Sequence, residues 1–272
     1  FAPLDLPNVG IAGVVDVPGH EAFVRTMLAG ATGIDVALLI VAADDGVMPQ
    51  TREHVAILEL LGIRSGVVAL TKCDLVEEDW LDLVRLDVSD LLARTALASV
   101  PMIPTSVVTG AGLAELREAL AAAARPDAPR REDDLFRMPI DRVFTVRGTG
   151  TVVTGTVWSG TVTRDDVVRV MPNDRAIRVR GLQAHGAAIE RAKPGTRLAV
   201  ALVGVEQDAL TRGAVLVADD GWHPTRVLRA DVGLLAGAAS TLSPRAVVRF
   251  HLGTSEVGAR VAVEELGDVL GR

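Results

Sequence analysis

The stretch Asp16-Val17-Pro18-Gly19-His20 sets an acid, a tight turn and an imidazole side by side. An apolar run, Ile11 to Val15, leads into it, and a helical pattern opens at Glu21. An acid and a Pro-Gly turn at the carboxyl end of a buried strand lie where open α/β sheets bind ligands. Gly19 lets a backbone N–H approach an anion that a side chain would obstruct. Asp16 suits a hydrated Mg²⁺, which takes carboxylate together with waters and phosphate oxygens. His20 can orient a water beside that phosphate. The five residues read as a sensor of a terminal phosphate and its Mg²⁺. An ordinary strand-to-helix turn is the competing reading.

Two further strings carry base-reading chemistry. Thr71-Lys72-Cys73-Asp74 follows an apolar run, Val67 to Leu70. A carboxylate such as that of Asp74 accepts from both the N1–H and N2–H of guanine, a donor pair that adenine lacks. The Lys72 stem can lie over the ring face. Ser106-Val107, at the next strand end, can offer a backbone N–H to the guanine O6. Alone, each of these two strings is weak and fits a surface loop. In this order, at the ends of successive strands, the three point to a guanine nucleotide.

Such groups need a sheet to position them. Leu4 to Leu6 and Val9 to Val15 read as two extended segments, and residues 21–29 as a helix ended by Gly30 and Gly33. Val36 to Ala42 is a continuous apolar run, the pattern of a strand buried on both faces. Residues 51–61, 77–97 and 112–124 have helical periods, and 102–104 is a short strand. Strands alternating with helices imply a doubly wound parallel sheet over residues 1–124. Residues 125–136 read as a linker, with two prolines and a run of charges. Short β-rich runs follow over 137–221, broken by Gly, Pro, Asn and Asp, which suits a small β-barrel. A third β segment, 222–272, includes runs at Val227 to Val232 and Arg245 to His251, with too little chain for an obvious core of its own.

Composition narrows the setting. No apolar run approaches about 18 residues, so no membrane span is expected. The single cysteine, Cys73, excludes an intrachain disulfide framework and suits a reducing, cytoplasmic setting. No signal peptide is visible, and a chain that opens at Phe1 suggests a fragment. Net charge is −7, unevenly spread. Residues 1–136 hold 10 Lys and Arg against 21 Asp and Glu, whereas residues 137–221 hold 12 against 9. An acidic chain is a poor general nucleic-acid binder, yet its basic middle third can meet a phosphate backbone. Solvated barrel loops explain the same charge.

The three strings together resemble the G domain of the translational GTPases. The likeness extends through Asp44-Asp45-Gly46-Val47-Met48-Pro49-Gln50-Thr51-Arg52-Glu53-His54, similar to that family's DGxxPQTxEH tract. His20 falls where the family has its water-orienting histidine. Ile140 to Phe144 and Gly148 to Gly155 resemble the start of the family's second domain. Within the family the chain is most similar to the selenocysteine-specific elongation factors. At the start of the barrel it has Asp141-Arg142 where the general aminoacyl-tRNA carriers usually have two acids, and Arg197 stands where the selenocysteine factors have a second arginine. Thr71 departs from the commoner Asn of the guanine string.

The resemblance implies a partial G domain, one β-barrel and a second, incomplete or truncated β-barrel. It implies GTP or GDP with Mg²⁺ as ligands, bound through Asp16, Pro18, Gly19, Thr71, Lys72, Asp74, Ser106 and Val107, with Asp16 reaching the metal through water. It implies His20 as the catalytic group, and Asp141, Arg142 and Arg197 as a selenocysteine pocket. The partners it implies are selenocysteyl-tRNA, the ribosome and, through modules outside these residues, an mRNA hairpin. Only Lys72 and Lys193 are lysines and neither follows a glycine, so no G-x-x-x-x-G-K-[ST] loop is present. Weak nucleotide binding and an inactive fragment are therefore expected of these residues alone. A relative that carries another aminoacyl- or initiator tRNA, or a non-catalytic remnant that binds RNA or protein, are the alternatives.

Overall fold

Apolar runs of the first half become strands, as their lengths and flanking turns dictate. The computed structural model describes residues 2–16, 34–124, 132–218, 221–233, 242–243 and 245–263. Pro18, Gly19, His20 and the helix expected over 21–29 lie outside the described residues, as does most of the linker. The chain divides into two units, Phe1–Arg130 and Arg131–Arg272.

In the first unit, β1 (Ala2–Leu6) and β2 (Gly10–Val14) pair as an antiparallel hairpin. Arg117 donates to the Asp5 carbonyl at 2.9 and 2.6 Å and ties the hairpin to a later helix. Next come β3 (Ala37–Ala42), α1 (Pro49–Leu60), β4 (Gly66–Thr71), α2 (Glu78–Leu92), β5 (Met102–Pro104) and α3 (Leu113–Ala123). The sheet runs β3-β4-β5, all parallel, with Leu39 beside Val68 and Ala69 beside Ile103. Helix α2 buries Leu81, Val84, Val88 and Leu92, spaced three and four apart, against Leu39, Val41, Val68 and Leu70. Each such side chain contributes about 1.5–3 kcal/mol when fully buried.

Two elements differ from the sequence pattern. Strand β3 is buried on one face only: Leu38 and Ile40 are 39% and 53% exposed, because no described element covers that face. Helix α2 ends at Leu92 rather than Leu97. Thr95 folds back there, its hydroxyl donating to the Leu92 carbonyl at 2.9 Å and accepting from the Leu97 N–H at 3.1 Å. A threonine that bonds nearby backbone competes with the helix ladder, and Leu97 is buried from a turn instead.

The second unit is a curled antiparallel sheet. Its strands are β6 (Arg137–Pro139), β7 (Arg142–Val146), β8 (Gly150–Thr156), β9 (Val162–Thr163), β10 (Val167–Met171), β11 (Arg175–Ala184), β12 (Ala187–Ile189), β13 (Arg191–Ala192), β14 (Arg197–Leu202) and β15 (Val215–Val217). Eight of them pair in the order β6-β15-β10-β11-β14-β8-β7, with β12 on β11. Strand β6 also meets the far end of β8: Arg137 N–H donates to Ser159 O at 3.0 Å and Trp158 N–H to Arg137 O at 2.8 Å. That contact closes the sheet around Met138, Ile140, Val153, Val168, Leu198 and Leu216. Gly155 permits it, since a Cβ there would lie 2.1 Å from the Pro139 carbonyl oxygen.

The third segment, residues 222–272, is described in part. Its strands among the described residues are β16 (Val247–Leu252) and β17 (Ser255–Arg260), paired as one hairpin. Thr254, near the tip, donates to the Ile140 carbonyl at 2.5 Å. The run Val227 to Val232, expected to be extended, is irregular, with Val227 86% exposed. No strand among the described residues pairs with it. No helix among the described residues is long and apolar enough to cross a membrane.

Candidate functional site

The carboxyl ends of β3, β4 and β5 gather polar residues on adjacent loops. Ala43 N–H donates to Thr71 O at 2.8 Å and Cys73 N–H to Thr105 O at 3.2 Å, which links the three strand ends. Gly46 turns the chain after β3 with a φ of +71°. Lys72 stands in the left-handed region, at φ 58°, and sends its ammonium back to the Asp44 carboxylate at 2.9 and 2.7 Å. Asp45 lies 3.8 Å from the same nitrogen. The Lys72 hydrogen bond holds the Asp44 carboxyl below its ordinary pKa, and Asp44 raises that of Lys72. Cys73 is half-buried against the core of this unit.

The Asp74 carboxylate is exposed and has no partner among the described residues. Ser106 is buried. Its hydroxyl accepts from the Val108 and Thr109 N–H groups at 3.2 and 3.1 Å, which shapes the turn. Of the two amides expected at this strand end, that of Ser106 is committed to the Ala111 carbonyl at 3.0 Å. The Val107 amide has no protein partner among the described residues, and the residue is 85% exposed. Asp74 and Val107 therefore flank the Cys73–Thr105 bond with an acceptor and a donor. Asp16 is exposed two residues beyond β2. Among the described residues no three metal-ligating side chains cluster.

The barrel carries a second polar cluster. Asp141, between β6 and β7, accepts from the Thr154 hydroxyl at 2.7 Å through one oxygen and from Arg197 through the other. The side chains of Arg197 and Asp141 are 22% and 18% exposed. Arg142 pairs across β7–β8 with Thr154, which in turn pairs with Ala199 on β14. Residues directly opposite, and residues two apart on one strand, share a face, so Arg142, Thr154 and Arg197 all point outward. Strand spacing puts the Arg142 and Arg197 backbones about 12 Å apart, within reach of a common ligand through two long side chains. Beside Arg142 lies an open depression of about 630 Å³, bordered by Asp141, Glu206, Asp208 and Arg212. Thr145 donates to Gln207 at 2.9 Å and fixes its far wall.

Asp44 and Thr154 carry no motif that names their partners. Asp44 stands in the tract after β3, but its bond to Lys72 crosses between strands; the role of Thr154 emerges only from register.

The sequence family described as Elongation factor Tu GTP binding domain matches residues 11–126, and Elongation factor Tu domain 2 matches residues 150–217. Elongation factor Tu 2 of Streptomyces avermitilis is 35% identical over 92% of this chain and 68% of its own length. The chain belongs to the elongation factor Tu family of translational GTPases. A selenocysteine-specific elongation factor of Desulfomicrobium baculatum is 48% identical over 96% of this chain. The chain spans 41% of the length of that relative. The crystal structure of a bacterial selenocysteine-specific elongation factor superposes with a TM-score of 0.87 at 28% identity, over 97% of this chain and 44% of the other. The strand-end cluster lies within the matched GTP-binding domain, and Thr154 and Arg197 of the barrel cluster lie within the matched second domain.

Proposed function

We propose that this protein carries selenocysteyl-tRNA to the ribosome in the cytoplasm and hydrolyses GTP there. The observation that carries the reading is the outward face shared by Arg142 and Arg197, with Asp141 between them. A selenol is more acidic than a thiol and is a selenolate at neutral pH, whereas a serine hydroxyl stays neutral. Guanidiniums remain protonated and hold such an anion by charge-assisted hydrogen bonds. Serine in the same place brings no opposite charge to the guanidiniums, so the pocket favours the selenolate over it.

In the first unit, Asp74 accepts from guanine N1–H and N2–H and the Val107 amide donates to O6. Lys72, held at its tip by Asp44, lays its stem along the base. Thr71 and Ser106 set the two loops. Asp16 would hold Mg²⁺ through water, and Pro18 and Gly19 would contribute to nucleotide binding. The ion, when bound, neutralises charge on the phosphates. His20 orients the attacking water; an imidazole is a poor base for so weak an acid, so its part is positioning. Backbone amides stabilise the charge of an in-line displacement.

The test uses the full-length protein with GTP and one tRNA body charged with selenocysteine or serine. Protection of the ester bond from hydrolysis reports binding. Two charge-assisted contacts of about 1.5–3 kcal/mol each predict a preference for selenocysteine of at least about 100-fold. Equal protection of the two esters contradicts the reading.

A further inference from the structure

We propose that Thr154 is a positioning residue of the aminoacyl pocket, acting through Asp141 on Arg197. The proposal rests on the selenocysteyl reading above. Thr154 lies on β8, flanked by β7 and β14, so its side chain stands between the two arginine-bearing strands. It holds Asp141 twice. Its carbonyl accepts the Asp141 N–H at 2.9 Å, and its hydroxyl donates to one Asp141 carboxylate oxygen at 2.7 Å. The other oxygen accepts from Arg197.

Both Asp141 oxygens are thereby engaged, within a side chain only 18% exposed. Asp141 acts as the anchor of Arg197. A carboxylate held at one oxygen alone can rotate about its side-chain torsions. Held at both, it fixes the plane in which a guanidinium can meet it. Threonine suits the position: its branched Cβ restricts χ1 in a strand, so the hydroxyl is aimed before Asp141 arrives. Valine has the same shape and no donor, and leaves the Asp141 oxygen without its partner. The relay from Thr154 to Asp141 to Arg197 links β8 and β14 through the junction of β6 and β7, and no contact between Thr154 and the ligand is needed.

The experiment compares Thr154→Val and Thr154→Ser in the full-length GTP-bound protein, each alone and with Arg197→Ala. The readout is the ratio of selenocysteyl- to seryl-tRNA affinity on the same tRNA body, with melting temperature alongside. Thr154→Val lowers the ratio about tenfold, the loss of one hydrogen bond to a charged group. Thr154→Ser keeps the ratio within about threefold of wild type, since the donor remains. In the Arg197→Ala background Thr154→Val has no further effect on the ratio. An unchanged ratio in Thr154→Val, or additive loss in the Arg197→Ala background, overturns the proposal. So does equal weakening of both tRNAs with a lower melting temperature, which marks a residue that merely ties strands. A wild-type protein with no preference overturns the selenocysteyl reading itself, and this proposal with it.

Discussion

The Lys72 ammonium bonds both carboxylate oxygens of Asp44, at 2.9 and 2.7 Å, and so bridges the loop after β4 to the end of β3. The Asp44 carboxyl is held below its ordinary value chiefly by that hydrogen bond. Its contribution to stability is present above the ordinary carboxylate pKa and is lost as pH falls through the lowered one. Lys72, raised chiefly by the same bond, contributes fully below the ordinary lysine pKa and loses its share as pH rises through the raised one. Both groups face solvent, so the pair is small in effect and screened by salt. Urea unfolding of wild type and Asp44→Asn should therefore differ at neutral pH and low salt. The difference should vanish in strong acid and shrink in 1 M salt. A gap that persists under both conditions contradicts the ion pair.

The exposed Asp74 carboxylate offers acceptors only. In the full-length protein, Asp74→Asn presents an amide NH₂ to the 2-oxo group of xanthine, where guanine has its own donor. Competition binding should shift from GTP toward xanthosine triphosphate. Unchanged preference for GTP would make the Thr71–Asp74 stretch a plain loop.

Much of this arrangement was legible because it depends on local pattern. The run Val67 to Leu70 became the central strand, and the alternation of Leu198 and Val200 with their neighbours became barrel wall. The tract around Pro49 and Thr51 opened a helix, as proline at a first turn permits. What stayed hidden depends on partners far along the chain. Nothing local shows that the Ser106 amide is taken by Ala111, or that Thr154 meets Asp141 across a strand pair. The exposed side of β3 and the irregular run at Val227 to Val232 depart from the sequence pattern for the same reason. Apolar alternation predicts a strand or a buried face only where something lies beside it. Helix α2 stopped early because of one side-chain bond, that of Thr95, which periodicity does not register.

Gly112 shapes the loop that presents Val107. Its φ is +69°, and a Cβ there would lie 1.9 Å from the Pro104 carbonyl oxygen. Gly110, in the same loop at φ +79°, has nothing within 4 Å. Gly110→Ala should cost about 1–2 kcal/mol, the left-handed penalty alone. Gly112→Ala must also displace the end of β5, so its cost should exceed that and it should weaken guanine binding in the full-length protein. Thermal or urea unfolding of the two variants decides; equal costs would contradict the packing at Gly112.

The assignment of the barrel pocket is tested most directly by Arg142→Ala with Arg197→Ala in the full-length protein. The measured quantity is the dissociation constant of the GTP-bound form for selenocysteyl-tRNA and for seryl-tRNA on the same tRNA body. Loss of two desolvated charge-assisted contacts, about 1.5–3 kcal/mol each, should weaken selenocysteyl-tRNA binding by at least about 100-fold. Seryl-tRNA binding should change far less, so the preference collapses. If both tRNAs weaken by the same factor, the arginines contact the RNA backbone or hold the barrel together, and the claim that they read the selenocysteine side chain is wrong.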